Sequence, residues 1–168
     1  MKPEFKVLTQ VLAHRAHVAA RLEQIITRLR ERATLHDLTK LQPEEFDIFT
    51  ETHEEFARAP FGTEAYRRVE EKGRKAVNHH YRHNRHHVKH HPNGWEDMNL
   101  IDLLELLADW KAASRRDPGQ RWWGEGFHRA LERAGFPPGV VKVLVNTVVE
   151  LGWNADEESL GLEWDESW

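Results

Sequence analysis

The chain has 168 residues, of which 39% are hydrophobic and 31% are charged, and it contains no cysteine. This composition suits one folded globular domain, and the lack of thiols excludes disulfides and thiolate metal sites, so any metal must take nitrogen and oxygen ligands. No apolar run approaches the roughly 20 residues that a membrane span needs, and the N-terminus lacks the apolar core of a signal peptide. We therefore expect a cytoplasmic protein with no membrane contact.

The formal net charge of −4 is distributed unevenly. Arg, Lys and His are concentrated between residues 64 and 91, whereas residues 156–168 carry six acids and no base. A basic middle segment could bind phosphate groups. Because this charge lies among candidate metal ligands in an acidic chain, stable binding of duplex nucleic acid is disfavoured.

Apolar residues recur at helical spacing in the first segment and predict a helix from about Glu4 to Glu31. The stripe consists of Val7, Val11, Val18, Leu22, Ile25 and Leu29. His14 lies at the margin of this stripe and is expected to face inward, whereas His17 lies among polar positions. His14 is therefore a candidate metal ligand, and the alternative is a hydrogen-bonded histidine at the edge of the core.

The most informative motif is His36-Asp37-Leu38-Thr39-Lys40. We predict a short helix from Leu35 to Leu41, capped by Thr34. Adjacent residues on a helix point about 100° apart. One ion could therefore touch the imidazole and the carboxylate only over the edge between them, and further ligands must come from elsewhere. Lys40, about one turn later, is placed to bind phosphate or a developing negative charge.

A third helix is predicted to begin at Pro43, with two glutamates favourably placed in its first turn. Pro60 interrupts the chain, and Thr63 is a candidate cap for the next helix. That helix is predicted to run from about Glu64 towards His90. The basic segment of the chain would then be largely helical.

Seven of the twelve histidines lie between positions 79 and 91. His80, Asn84 and His87 are spaced i, i+4, i+7 and would share one helix face. We assign His80 and His87 as candidate metal ligands, and Asn84 and His86 as candidate substrate contacts. The alternative is a solvated histidine-rich face, or adventitious metal binding without catalysis.

Asp97 or Asn99 could begin the next helix, whose apolar residues occupy most of its circumference and indicate a central position. These residues are Leu100, Leu103, Leu104, Leu107 and Trp110. Asp102 and Asp109 share its polar face. A helix this apolar has little surface to spare, so one aspartate is a candidate ligand. We prefer Asp109, because Ala112-Ala113 leaves room beside it.

Two further helices are predicted. The first follows Asp117-Pro118-Gly119 and bears Trp122, Trp123, Phe127, Ala130 and Leu131. It ends at Gly135, and the second, Val140 to Leu151, is opened by Pro137-Pro138. We therefore predict an all-α, single-domain helical bundle of residues 1–151. An acidic tail with tryptophans, residues 152–168, would wrap the domain or mediate assembly, for example into a homo-oligomer.

The order of His14, His36-Asp37 and Asp109 resembles the HD-domain superfamily, whose members are helical bundles that hold a divalent metal with this set. A closer resemblance covers about Val11 to Leu151 and is to an HD-like family of bacteria and their viruses with no settled activity. Its matching blocks are His36 to Lys40, Glu45-Phe46, His80-Tyr81 with Asn84 and His86-His87, Asn93-Gly94, Met98 to Leu100, and Asp109 to Ser114. Such families typically have Pro after the double histidine, where this chain has Val88. The resemblance implies the fold and the metal more firmly than the reaction.

The predicted metal ligands are His14, His36, Asp37, His80, His87 and Asp109. The residues expected to contact the substrate are Lys40, Asn84, His86 and Lys111. Imidazole and carboxylate ligands suit Mn²⁺, Fe²⁺, Co²⁺, Ni²⁺, Zn²⁺ or Mg²⁺. One ion is expected, or two bridged by Asp37 if His80 and His87 also bind. Asp37, Lys40 and Lys111 are the predicted catalytic residues.

Three functions follow from these assignments. The first is a phosphohydrolase that acts on a nucleotide or another small phosphate ester through metal-activated water. The second is a di-iron oxygenase, because HD-like proteins with additional histidines include such enzymes and this chain resembles them in its histidine surplus. The third is a non-enzymatic metal-binding or interaction module that uses the acidic tail as its contact.

Overall fold

The computed structural model describes residues 2–60, 63–113 and 126–153, which contain six α-helices and no strand. The helices are α1 (Pro3–Leu35), α2 (Pro43–Arg58), α3 (Glu64–His83), α4 (Leu100–Ala113), α5 (Phe127–Ala134) and α6 (Pro138–Glu150). Short 3₁₀ turns cover Leu38–Leu41, Val88–His90 and Gly94–Asp97. The predicted all-α class is confirmed. The chain divides into two compact units, residues 1–80 and 81–168, with the boundary inside α3.

Helix α1 differs from its prediction in length and in burial. It continues to Leu35, and the Thr34 hydroxyl donates to the Arg30 carbonyl within the helix instead of capping a new one. None of its residues is buried. The predicted inward-facing stripe is therefore wrong for the single chain, in which Val7 is 59% exposed and Leu22 is 54% exposed.

In the first unit, α3 packs against α2 through one face. The buried residues of that face are Val69, Gly73, Ala76 and His80. The Phe56 ring of α2 lies beside Gly73 and meets the Tyr66 ring edge to face at 5.5 Å. As predicted, α2 begins at Pro43 and Thr63 caps α3, since its hydroxyl accepts a hydrogen bond from the Tyr66 N–H at 3.2 Å.

Helix α3 ends at His83, seven residues before the predicted end. The His90 ring donates from Nδ1 to the carbonyl oxygen of Tyr81 at 3.0 Å. In a continued helix that carbonyl would accept the N–H of Arg85. The histidine side chain thus takes over an acceptor at the helix end. The helical spacing that we assumed for the histidines beyond this point does not exist.

In the second unit, α4 contributes the centre of an apolar core. The buried members of this core are Leu106, Leu107, Phe127, Leu131, Phe136, Leu144 and Val148. Asn99 and Asp102 cap α4 reciprocally, because each side chain accepts the other's backbone N–H, at 3.0 and 3.1 Å. Gly135 closes α5 in the left-handed region at φ +69°, as expected for a glycine at this position.

Some predicted features lie outside the described residues. They are Asp117-Pro118-Gly119, Ser114, Trp122, Trp123 and the acidic tail from residue 154 onwards. Where the structure does describe the chain, no helix combines the length and apolar character that crossing a membrane requires.

Candidate metal centres

The His36-Asp37 motif forms a corner of the chain instead of a helix face. His36 follows α1 with φ −53° and ψ 125°, and Asp37 adopts the left-handed region with φ 54° and ψ 14°. Among the described residues, Asp37 is the only non-glycine with positive φ, and aspartate is one of the few L-residues that visit this region. The predicted helix from Leu35 to Leu41 is thus wrong. A corner followed by a 3₁₀ turn replaces it.

Three basic side chains surround the Asp37 carboxylate. Its Oδ2 accepts a hydrogen bond from the Lys40 ammonium and lies 3.6 Å from Nε2 of His36. Its Oδ1 lies 3.2 Å from Nε2 of His80. Burial opposes ionisation, but the hydrogen bonds from His80 and Lys40 and the charges of Lys40 and His36 outweigh it, so the pKa of Asp37 falls far below its usual range. The carboxylate is ionised at neutral pH, which is the form that binds cations.

A buried glutamate positions the histidines of this site. Glu45, in the first turn of α2, is 0% exposed, and its two oxygens lie 2.7 Å from Nδ1 of His79 and 2.9 Å from Nδ1 of His80. The Thr39 hydroxyl lies 3.3 Å from the same His80 nitrogen. Glu45 and His79 were not among the predicted site residues. The first turn of α2 holds two glutamates, and only the packing of α3 distinguishes Glu45 from Glu44.

His80 therefore connects two carboxylates, with Nδ1 towards Glu45 and Nε2 towards Asp37. When Nδ1–H donates to Glu45, Nε2 either carries a second proton to Asp37 or offers its lone pair to a cation that Asp37 also binds. A carboxylate behind a ligating histidine is the usual way to fix its tautomer and orientation. We call His36, Asp37, Lys40, Glu45, His79 and His80 the Asp37 cluster. Its imidazole and carboxylate groups are of the kinds that bind metal ions.

The second unit contains a similar arrangement around His86, which is 1% exposed. Its Nδ1 lies 3.2 Å from Glu105 and its Nε2 lies 4.0 Å from Asp109. Glu105 and Asp109 are four residues apart on α4 and so share a face. The ring of His87 lies 4.0 Å from that of His86 between centroids. We call His86, His87, Glu105 and Asp109 the Asp109 cluster, and it too offers histidine and carboxylate donors.

The other aspartate of α4 has a structural role. Asp102 is 0% exposed and accepts hydrogen bonds from Arg85, from Nε at 3.3 Å and from Nη2 at 3.1 Å. The carbonyl of Arg85 in turn accepts a hydrogen bond from Nε2 of His91 at 2.9 Å. These contacts, together with the cap at Asn99, account for Asp102 without a metal. Of the two candidate aspartates on α4, Asp109 is the one beside a histidine pair.

The structure brings some of the predicted site residues together and leaves His14 apart from them. His36, Asp37 and Lys40 lie together with His80, but His14 does not join them. His14 is exposed on α1, and 21 helical residues separate it from Leu35, a distance of about 32 Å along the axis. Its predicted inward-facing position is wrong for the single chain.

The remaining predicted residues belong to the second unit. His86, His87 and Asp109 form the cluster described above. Asn84 is buried immediately after the end of α3, and Lys111 is half-buried in the last turn of α4. His86, which we predicted as a substrate contact, has one nitrogen facing a glutamate and the other facing an aspartate.

Comparison with known proteins places most of the chain in one family. The model of a family of unknown function, DUF5662, matches residues 3–149. The chain belongs to this family. Neither the curated proteins nor the solved structures gave a match. Family membership states no activity, and the resemblance to the HD-domain superfamily stays a prediction, so the function has to be inferred from the two clusters.

Proposed function

We propose that the protein is a metal-dependent phosphohydrolase that acts on a nucleotide or another small phosphate ester. The connection from Glu45 through His80 to Asp37 carries this proposal. A buried glutamate fixes one nitrogen of the imidazole, and the other nitrogen lies 3.2 Å from an ionised carboxylate. Lys40 supplies a positive charge at the same carboxylate. Donors for a cation and a partner for phosphate thus occur side by side.

The chemistry of the donors fits a divalent cation. His36, Asp37 and His80 offer two imidazole nitrogens and one carboxylate, a set that suits Mn²⁺, Fe²⁺, Co²⁺, Ni²⁺, Zn²⁺ or Mg²⁺. Three such ligands leave positions for water and for a substrate oxygen. Glu45 would stand behind His80 and hold its proton on Nδ1, which leaves Nε2 free to ligate.

A bound divalent cation would lower the pKa of water from about 16 towards neutrality and polarise a phosphoryl oxygen. In the hydrolysis, a water oxygen bonds to phosphorus, the P–O ester bond breaks, and a proton from water ends on the leaving oxygen. Lys40 would donate a hydrogen bond to the phosphoryl group as negative charge develops there. Asp37 remains an anion throughout, which keeps the site selective for cations.

The Asp109 cluster offers a second set of donors. His86, His87 and Asp109 provide two imidazoles and a carboxylate, with Glu105 beside His86 in the position that Glu45 holds beside His80. Metal analysis of two single variants defines its part. If Asp37→Asn and Asp109→Asn each remove the same single ion, the ligands are shared; if each removes one of two ions, they are separate.

The test is release of phosphate or pyrophosphate from a panel of nucleotides and small phosphate esters, with each of the six metals in turn. We expect metal-dependent release that Asp37→Asn abolishes. His17→Ala is the matched control, since it removes an exposed histidine of α1. His14→Ala should also leave the activity unchanged. No release from any compound with any metal would contradict the proposal.

A di-iron oxygenase is the second candidate, and the occurrence of two histidine–carboxylate clusters in one chain favours it. Purification without oxygen, followed by iron analysis, separates the two functions. Two irons per chain together with oxygen consumption in the presence of an organic substrate would favour the oxygenase. Phosphate release in the absence of oxygen would favour the hydrolase.

A further inference from the structure

Helix α1 presents an apolar face that is exposed among the described residues. The helix has 33 residues, a length of about 50 Å, and none of them is buried. Eight large apolar side chains on this face are 39% to 57% exposed: Phe5, Leu8, Val11, Leu12, Val18, Leu22, Ile25 and Ile26. At this exposure they present roughly 600 Å² of apolar surface, close to the 800 Å² that each partner contributes to a standard interface.

The spacing of the apolar residues identifies the kind of partner. Intervals of three and four residues alternate without interruption along nine positions: Phe5, Leu8, Leu12, Arg15, Ala19, Leu22, Ile26, Leu29 and Ala33. Eight of these nine residues are apolar. The opposite face repeats every seven residues with only polar side chains: Gln10, His17, Gln24 and Glu31. This is the heptad pattern of helices that pack along a shared seam.

A seam of this length requires a helix of similar length as its partner. Among the described helices of the chain, the next longest is α3, with 20 residues, and it buries its own face of Val69 to His80. A second α1 has the required length and the same repeat. The heptad is therefore best completed by another copy of the chain.

Arg15, the one polar residue in the seam, determines the orientation. In a parallel pair in register, Arg15 would face Arg15 of the partner subunit, and two like charges would meet within an apolar seam. In an antiparallel pair centred on residue 17, in which residues 3–31 of the two helices overlap, Arg15 faces Ala19 of the partner subunit, the smallest residue type in the seam. The same register pairs Phe5 with Leu29, Leu8 with Ile26, and Leu12 with Leu22.

We propose that two copies of the chain form a homodimer through antiparallel pairing of α1, with Arg15 beside Ala19 of the partner subunit. This interface is independent of the metal chemistry, because α1 carries the seam along its length and the Asp37 cluster begins only after its last residue. The dimer would give α1 the buried face that it lacks in the single chain.

Sedimentation equilibrium of the full chain tests the pairing. The monomer mass is 19.8 kDa, and we expect the wild type to reach twice this mass at micromolar concentration. Leu12→Glu and Leu22→Glu place a charge in the seam and should return the mass to that of the monomer. Gln10→Glu adds the same charge on the opposite face and should stay dimeric. Circular dichroism establishes that each variant remains helical.

Cross-linking tests the orientation, since the natural chain has no cysteine. The antiparallel register is centred on position 17, and the two copies of Val18, one residue away, lie at the same edge of the seam, so Val18→Cys should form an intermolecular disulfide. Leu12→Cys should cross-link to Leu22→Cys when the two variants are mixed, but neither should cross-link to itself. A monomeric wild type at hundred-micromolar concentration, an assembly larger than a dimer, or equal loss of the dimer in Gln10→Glu would overturn the proposal. Self-cross-linking of Leu22→Cys would indicate a parallel pair and would overturn it too.

Discussion

The Asp37 cluster and the Asp109 cluster share one arrangement of glutamate, histidine and aspartate but differ in its distances. In each, a histidine has Nδ1 towards a glutamate and Nε2 towards an aspartate. In the first, these distances are 2.9 and 3.2 Å, and in the second they are 3.2 and 4.0 Å. In the first, the Lys40 ammonium also donates a hydrogen bond to the aspartate. Our proposed function assigns catalysis to the Asp37 cluster because of its shorter contacts and the charge of Lys40.

Removing the two aspartate charges one at a time is the strongest test of the difference between the two clusters. Asp37→Asn should abolish phosphate release and weaken metal binding by more than about 100-fold, because the charged ligand is lost. Asp109→Asn should reduce the rate but leave measurable release. Isothermal titration with Mn²⁺ and a phosphate-release assay measure both effects. Full activity in Asp37→Asn would remove this residue from the mechanism.

Replacing Lys40 and Lys111 in turn compares how much each positive charge contributes to kcat. Lys40→Met should lower kcat by about 100-fold, since a single preorganised donor to a developing charge contributes about this much. Metal affinity should not fall, because the Lys40 ammonium is bonded to an Asp37 oxygen that a cation would also use. Lys111→Met should have the smaller effect on kcat. Equal losses in the two variants would contradict the assignment of catalysis to the Asp37 cluster.

The two glutamates test the positioning of histidine. Glu45→Gln should lower metal affinity and activity by about 10- to 100-fold, the range observed when a carboxylate behind a ligating histidine is replaced. Glu105→Gln should cost less, since Glu105 lies 3.2 Å from Nδ1 of His86, whereas Glu45 lies 2.9 Å from Nδ1 of His80. Glu44→Gln, at the exposed neighbouring position, is the control. An unchanged metal affinity in Glu45→Gln would show that Glu45 only stabilises the fold.

The aspartates of α4 provide a contrast between stability and metal binding. Asp102→Asn removes the charge that pairs with Arg85 and should lower the free energy of unfolding by about 2 kcal/mol. Its metal content should stay that of the wild type. Asp109→Asn should have the opposite pattern. Thermal melts and metal analysis of the two variants measure this contrast, which loss of metal in Asp102→Asn would contradict.

The smallest expected effect concerns a carboxylate outside both clusters. Hydrogen bonds from the backbone and side chain of Asn93 lower the pKa of Asp97 from its ordinary 3.8. A carboxyl group with a lowered folded-state pKa stabilises the protein above its unfolded pKa, and this contribution is lost as the pH falls through the folded-state value. Asp97→Asn should therefore make stability less dependent on pH below about pH 4. Denaturation at pH 7 and pH 3 measures this, with exposed Asp47→Asn as the control.

Helix beginnings were the part of this fold that local sequence predicted best. Pro43 starts α2, Thr63 caps α3, and Asn99 caps α4, because a proline or a capping side chain acts on the backbone within a few residues. The end of α3 could not be predicted in this way. It depends on the His90 ring reaching the carbonyl of Tyr81, and that contact exists only once the chain has turned.

The residue types of the site were easier to predict than their arrangement. His36-Asp37 and Asp109 were recognisable as candidate ligands from their chemistry. Glu45 was not, because its role depends on which face of α2 meets α3. His14 was misplaced for a related reason. An amphipathic pattern indicates that a helix has a partner, but it does not indicate whether the partner belongs to the same chain.

The left-handed backbone at Asp37 restricts what evolution can place there. Asparagine and glycine accept this conformation readily but carry no negative charge. Glutamate carries the charge, yet its longer side chain lacks the local hydrogen bonding that lets aspartate tolerate the conformation. Aspartate is the residue that combines a negative charge with tolerance of the left-handed conformation. Both the backbone conformation and the negative charge therefore disfavour substitution of Asp37.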